Sequence, residues 1–392
     1  MTLQTSKEEG LYLRQTFFDQ AKRVVVKVGS AVLTSAGGLN LETVDNLARQ
    51  IAFLWSTGRE VILVSSGAVA AGRQRLGVVR SAHEPLRVKQ ALAATGQGLL
   101  MQAYEQAFAR QERVVAQVLL THSDLSHRRR YLNVRNTIQT LFAFDTLPII
   151  NENDTVSTKE LKFSDNDTLG AMIANMIGAD MYIILSDVEC LYTGDPARDA
   201  SARPVPTVKR ITRAIEAMAG REGNAAGTGG MLTKIQAAKM VSASGCSCFI
   251  GSGRAPDILT DLLSSKMAGT FFLPSGDRLN SRKHWIAYVL KPEGALVLDD
   301  GACRALREKG TSLLPSGIVE VQGSFPVGSP VHCLDAAGTV VAAGLSNYSA
   351  ADVQKIKGCR SAHIEQILGF RDADEVIHRD NLVLMHDSPV EG

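Results

Sequence analysis

Six times between residues 24 and 251 the chain sets down a short Val/Ile/Leu-rich run, and Gly- or Asn/Asp-rich turns and stretches of helical spacing lie between the runs. The runs are Val24–Val28, Glu60–Ser65, Val114–Leu120, Leu147–Asn151, Met181–Ser186 and Cys246–Gly251. Parallel strands cannot be joined by tight turns, so this alternation predicts a mostly parallel sheet with helical crossovers. Val24-Val25-Val26-Lys27-Val28 is apolar almost throughout, as a strand covered on both faces must be. Leu41, Val44, Leu47, Ile51, Leu54 and Trp55 then recur at helical intervals, and Gly58 ends that helix. Further helices are expected at roughly 85–110, 131–144, 168–178 and 230–244. Strands and helices together make one doubly wound α/β domain over residues 21–285, with residues 1–20 as a loose N-terminal extension. Past Arg282-Lys283-His284-Trp285 the texture changes. Short β-type runs punctuated by Gly and Pro, such as Ala295–Leu298, Ile318–Gln322, Pro330–Leu334 and Val340–Ala343, predict a small β-rich domain over residues 290–385.

Charge and apolarity then exclude whole classes. Lys and Arg number 42 against 40 Asp and Glu, so no global field drives the chain onto nucleic acid or an anionic membrane. The longest wholly apolar runs have about five residues, far short of the ~18 a bilayer span needs. Lys7, Glu8, Glu9, Arg14 and Asp19 interrupt any secretory signal, which leaves the cytoplasm as the expected location. Six scattered cysteines, without a CxxC pair or a histidine at zinc spacing, read as reduced, buried thiols. Cys246 and Cys248, two apart on a strand, share a face rather than pinch a metal, and no protein metal site is expected.

Neither standard nucleotide fingerprint is present. Lys27 inside an apolar strand is either an edge lysine reaching solvent or a cation at the strand end where open α/β sheets bind ligands, with Gly29 letting the backbone approach an anion. The turn from Ser65 and Ser66 through Gly67 to Gly72 feeds a helix whose first amides favour negative charge, although small residues also serve tight packing. Two polar loops, Asn151-Glu152-Asn153-Asp154 and Asp165-Asn166-Asp167, suit recognition of an amine and orientation of cations, with a helix cap as the alternative for Asp167. In Gly227-Thr228-Gly229-Gly230-Met231-Leu232-Thr233-Lys234 the turn amides and Thr228 can donate to phosphate, and Lys234 adds a second mobile cation. Ser186-Asp187 and the Tyr192–Pro196 turn have the character of a pocket for purine and ribose.

In this order, these motifs closely resemble the glutamate 5-kinase branch of the amino acid kinase family, over roughly residues 23–385. The tail, with Glu293-Gly294-Ala295, Asp300-Gly301-Ala302, Gly310–Gly317 and His378-Arg379-Asp380, looks like the PUA domain appended to many of these kinases. The resemblance implies a three-layer kinase fold followed by the PUA domain. It implies transfer of the γ-phosphoryl group of ATP to the side-chain carboxylate of L-glutamate, the first step of proline biosynthesis. A carboxylate is already ionised at neutral pH, so no general base is required and no histidine need be catalytic. By similarity Lys27, Lys234 and Asp167 are catalytic, and Ser66, Asp154 and Asn166 bind glutamate. Lys27, Ser186, Asp187 and the run Thr228, Gly229, Gly230, Met231, Leu232, Thr233 and Lys234 bind ATP, with Mg2+ held by phosphates and water. Ser186 and Cys190 depart from the residues common in the family at those places, which bears on nucleotide fit. The resemblance further implies feedback inhibition by proline, a homo-oligomer (dimer or tetramer) and glutamyl phosphate reductase as a partner. Competing expectations are a sister kinase with another carboxylate or phosphate acceptor, and an RNA-binding protein acting through the PUA domain.

Overall fold

Strand β1 (Arg23–Val28) forms the middle of a sheet, with Val24, Val25, Val26 and Val28 fully buried. Parallel neighbours flank it on both sides. These are β4 (Glu60–Ser65), with Lys27 opposite Val64, and β7 (Met181–Ser186), with Lys27 opposite Ile184. Beyond β4 lie β6 (Thr146–Glu152) and β5 (Val114–Leu120), both parallel to it. Beyond β7 lie β9 (Ser247–Ser252), β10 (Thr270–Phe272) and β8 (Thr207–Val208). The first of these is parallel to β7, β10 runs antiparallel to β9, and β8 pairs in parallel with β10. Chain order departs from β1 in both directions, so the C-terminal ends of β4, β1 and β7 meet at a topological switch point, where open α/β sheets keep their ligands.

The computed structural model describes residues 7–35, 38–81, 84–126, 128–157, 165–196, 198–219, 230–263, 268–275 and 292–385. They gather into two compact units. The described residues up to 275, apart from Arg128–Leu132, form one, and residues 292–385 with Arg128–Leu132 form the other. The expected boundary at 285–290 lies outside the described residues.

Helices of the first unit follow local chemistry. After α2 (Ser30–Leu33) and a hairpin of β2 (Thr34–Ser35) and β3 (Gly38–Leu39), Asn40 caps α3 (Leu41–Ser56) by accepting from the Thr43 amide at 3.1 Å. Its apolar stripe, Val44, Leu47, Ile51 and Leu54, is buried against the sheet core. Gly67, at φ 111°, turns β4 directly into α4 (Ala68–Leu76), a backbone conformation closed to most side chains. α5 (Leu86–Ala109) crosses α4 at glycines: a Cβ on Gly72 would lie 1.9 Å from the Leu92 carbonyl, and one on Gly96 1.8 Å from that of Ala68. Then come α6 (His122–Ser126), α7 (Arg128–Ala143), α8 (Asn166–Ile177), α9 (Arg213–Met218), α10 (Met231–Ala243) and α11 (Ile258–Leu263).

Two expectations need correction. The sheet has eight strands, not six, because β8 and β10 have two and three residues, too few to show any period. The N-terminal stretch is not loose: Lys7–Gln20 forms helix α1, with Arg14 and Phe18 buried. The Arg14 guanidinium donates to the carbonyls of Ala268 (2.9 Å) and Pro206 (3.3 Å) and lies over Phe249 and Phe271. Burial pushes it down to about 10. A charged residue in the sequence thus hid a docked helix.

The second unit is a five-stranded sheet of β11 (Gly294–Leu298), β12 (Ile318–Gly323), β13 (Pro330–Leu334), β14 (Val340–Leu345) and β15 (Leu382–Leu384). Its order is β12-β11-β13-β14-β15, antiparallel throughout except for the parallel pair β11 and β13. Helices α12 (Asp300–Lys309), α13 (Ala350–Ile356) and α14 (Ile364–Leu368) complete a core around Leu296, Val331, Cys333, Tyr348 and Ile356.

Candidate active site

At the end of β1 the lysine turns inward rather than out to solvent. Lys27 is buried, and its Nζ lies 2.5 Å from Oδ1 of Asp167. Asp167 sits in the first turn of α8 and is fully buried. Its Oδ2 accepts from Lys234 Nζ at 3.1 Å, and Lys234 is itself buried in the first turn of α10. Three elements far apart in sequence therefore put two ammoniums on one carboxylate. Burial alone would raise the Asp167 carboxyl, but the ammoniums of Lys27 and Lys234 outweigh it and hold the group below its ordinary value. The helix cap is Asp165, not Asp167: Asp165 Oδ1 accepts from the Thr168 amide at 2.9 Å. Its Oδ2 is buried without a hydrogen-bond partner among the described residues. Tyr182, buried on β7, donates its hydroxyl to the Asp167 carbonyl at 2.9 Å and so pins the start of α8.

Beside this cluster lies a chain of neutral polar groups. Asn166 Nδ2 faces three acceptors: the Ser65 carbonyl (3.0 Å), Ser66 Oγ (2.8 Å) and Asn151 Oδ1 (3.0 Å). That asparagine oxygen also accepts from the Glu152 amide at 2.9 Å, and Asn151 Nδ2 donates to Gln97 Oε1 at 2.9 Å. Ser157 Oγ donates to the buried Glu152 (2.6 Å), and Gln90 Nε2 donates to the Ser157 carbonyl (3.1 Å). Under Ser65, its hydroxyl pairs with that of Tyr104 at 2.8 Å, and burial pushes the Tyr104 phenol up. Ser66 and Asn166 are thus brought together, and Asp154 follows in the turn after β6, half-buried.

Ser186 ends β7 buried, its hydroxyl donating to Asp187 Oδ1 at 3.0 Å, while Asp187 is exposed. Gly29 donates its amide to the Leu185 carbonyl (2.9 Å), joining the two strand ends. Gly230 caps α10, Thr233 Oγ1 donates back to the Gly230 carbonyl at 2.8 Å, and Met231 and Leu232 complete the first turn. Thr228 and Gly229 lie outside the described residues. Among the described residues no group of three or more His, Cys, Asp or Glu side chains is placed to hold a metal, and no helix is long and apolar enough to cross a membrane.

The sequence reading missed Gln90, Gln97 and Tyr104, which recur at seven-residue intervals on α5 and so share one face of it. Polar side chains at that spacing, among the buried Leu92, Ala93, Gly96, Leu100 and Ala103, were the available signal.

The cluster suits a multiply charged anion beside a small zwitterion. The amino acid kinase family model matches residues 22–252, more than half the chain, and the PUA domain model matches residues 294–368. Glutamate 5-kinase of Desulfotalea psychrophila is 54% identical over 375 residues, covering 96% of this chain and 100% of that protein. Glutamate 5-kinase of Trichlorobacter lovleyi is 50% identical over 379 residues, covering 96% of this chain and 100% of that protein. Among solved structures, carbamate kinase from Giardia lamblia bound to AMP-PNP aligns with a TM-score of 0.47 and 19% identity, covering 66% of this chain and 99% of that one. On the family match and these near full-length identities, the chain belongs to the amino acid kinase family, in its glutamate 5-kinase branch.

Proposed function

We propose that this chain transfers the γ-phosphoryl group of ATP to the side-chain carboxylate of L-glutamate, giving L-glutamyl 5-phosphate. One observation carries the reading: buried Lys27 and Lys234 converge on the single carboxylate of Asp167 at the switch point of the sheet, two ammoniums on one carboxylate among the described residues. A buried net charge is costly unless an anion completes it, and a triphosphate meeting a carboxylate supplies that anion. The acceptor reading is supported by Ser66, Asn151 and Asn166, which share hydrogen bonds suited to an amino acid head group, by Asp154 in the turn after β6, and by the relatives' names.

Glutamate's γ-carboxylate is ionised at neutral pH and attacks phosphorus without a general base, so the protein's task is alignment and charge neutralisation. Lys27 and Lys234 stabilise charge on the transferring phosphoryl and the bridging oxygen as that bond breaks. Asp167 fixes where both ammoniums sit. Asp154 pairs with the substrate ammonium, and Ser186, Asp187 and the turn entering α10 hold the nucleotide, which arrives with Mg2+ on its phosphates.

The test is ATP turnover with L-glutamate, L-aspartate and N-acetyl-L-glutamate, trapping the acyl phosphate as hydroxamate. Hydroxamate from glutamate alone supports the reading, and preference for either rival refutes it. We further place the chain in the cytoplasm as a homo-oligomer supplying glutamyl phosphate reductase. Proline shares the α-carboxylate and ammonium but lacks the reacting carboxylate, so it inhibits by competing with glutamate. Inhibition that saturating glutamate fails to relieve would exclude the shared pocket.

A further inference from the structure

We infer that Gln97 is a substrate-recognition residue whose side-chain N–H donates to the α-carboxylate of the amino acid acceptor. Amide side chains can be turned either way, so their orientation has to come from partners of unambiguous polarity. Here the main chain provides two. The Glu152 amide can only donate, and it faces Asn151 Oδ1 at 2.9 Å. The Ser65 carbonyl can only accept, and it faces Asn166 Nδ2 at 3.0 Å. With both asparagines fixed, Asn151 Nδ2 must donate to the next group, and Gln97 must meet it with Oε1, as found at 2.9 Å.

The consequence reaches the pocket. Gln97 spends its acceptor on Asn151, so its Nε2 remains as a donor with no partner among the described residues. At the other end Asn166 spends its donor on Ser65, Ser66 and Asn151, so its Oδ1 remains as an acceptor. A row of three neutral amide side chains, Gln97, Asn151 and Asn166, thereby presents a donor at one end and an acceptor at the other. That polarity is complementary to a carboxylate and an ammonium on one carbon, the α-amino acid head group. The charge-assisted bond from Nε2 to a carboxylate oxygen is stronger than a neutral one, so Gln97 discriminates against acceptors whose α-carboxylate is masked. The assignment rests on the amino acid kinase reading above and deepens it.

Gln97→Glu separates recognition from architecture. The variant keeps an oxygen toward Asn151 Nδ2, so a purely structural Gln97 predicts wild-type behaviour. Recognition predicts that the second oxygen repels the substrate: KM for L-glutamate rises at least about tenfold, with KM for ATP within about twofold. L-Isoglutamine, in which the α-carboxylate is an amide and the γ-carboxylate is intact, completes the test. Wild type should prefer L-glutamate to it in kcat/KM, and that preference should fall at least about tenfold in the variant. Gln97→Met, which lacks both amide groups, should lower the same preference, and circular dichroism checks that each variant is folded. A preference unchanged within about twofold in both folded variants overturns the role of Gln97 while leaving the kinase reading standing. No hydroxamate from wild type with L-glutamate overturns the kinase reading itself, and this assignment with it.

Discussion

Replacing Asp167 by Asn keeps the shape of the cluster and deletes its negative charge. With Nζ atoms 2.5 and 3.1 Å from the carboxylate oxygens, each attraction is roughly 5–7 kcal/mol at an effective dielectric of about 20. Dehydration of three ions offsets much of that, and deleting one partner of a buried pair costs about 3–5 kcal/mol. Against a total stability of roughly 5–15 kcal/mol, Asp167→Asn should move the urea midpoint far to the left, and turnover should fall at least about a hundredfold. The cause is excess positive charge, so adding Lys234→Met should return most of the lost stability while leaving the enzyme inactive. The pH dependence has a definite sign. Asp167 is held below its ordinary 3.8, so its ionised form contributes stability that is complete above that value and is lost as pH falls through the lower folded one. The gap between wild type and Asp167→Asn should therefore stay level from pH 7 to about 4 and shrink only below it. Urea titrations across that range test the whole chain of reasoning. A single variant within about 0.5 kcal/mol of wild type, or a double variant weaker than the single, would refute it.

Lys27→Ala and Lys234→Ala should each lower kcat at least about a hundredfold while changing KM for ATP by less than about threefold, read from steady-state kinetics, because their charge matters most as the phosphoryl moves. Asp154→Ala should raise KM for L-glutamate at least about tenfold and leave that for ATP alone, and equal weakening of both would place Asp154 outside the amino acid pocket. Gly96→Ala puts a methyl 1.8 Å from the Ala68 carbonyl and 2.3 Å from the Gly72 amide, so it should cost about 3 kcal/mol in a denaturation titration. An unchanged midpoint would mean that α4 and α5 part freely.

What the sequence made legible was whatever one local period or one short motif could carry. β1, β4, β6, β7 and β9 were visible because buried parallel strands are almost uniformly apolar, β5, an edge strand with Val114 exposed, because its run Val114–Leu120 is still mostly apolar, and α3 because its stripe has the helical period. Lys27 stood out as a charge in an apolar strand, but only the fold decides between solvent and Asp167, since the partner lies 140 positions away on α8. Asp165 and Asp167 could not be told apart by spacing, because either suits a helix start. The backbone decided, turning Asp165 to the Thr168 amide and Asp167 to the lysines. α1 was invisible because its anchor is an arginine: a guanidinium held by two carbonyls and two rings reads as solvent-facing in any hydropathy pattern.

Gln97 was hidden for a different reason, and that reason joins packing to recognition. Its partner, Asn151, ends a strand more than fifty residues downstream, and the contact exists only if α5 runs close to the C-terminal ends of the sheet. That closeness is set by Gly72 and Gly96, where α4 and α5 touch backbone to backbone, and α4 in turn begins immediately after Ser66 and Gly67. The glycines at this crossing therefore set how close α5, which carries Gln97, comes to α4, which begins just after Ser66 and Gly67. A small-residue crossing sets a distance that side-chain rotamers cannot recover, because an amide row passes on polarity only while every link stays within about 3.2 Å. Tight packing and the amide row are, at this crossing, one constraint: moving α5 away from α4 would also strain the bond between Gln97 and Asn151.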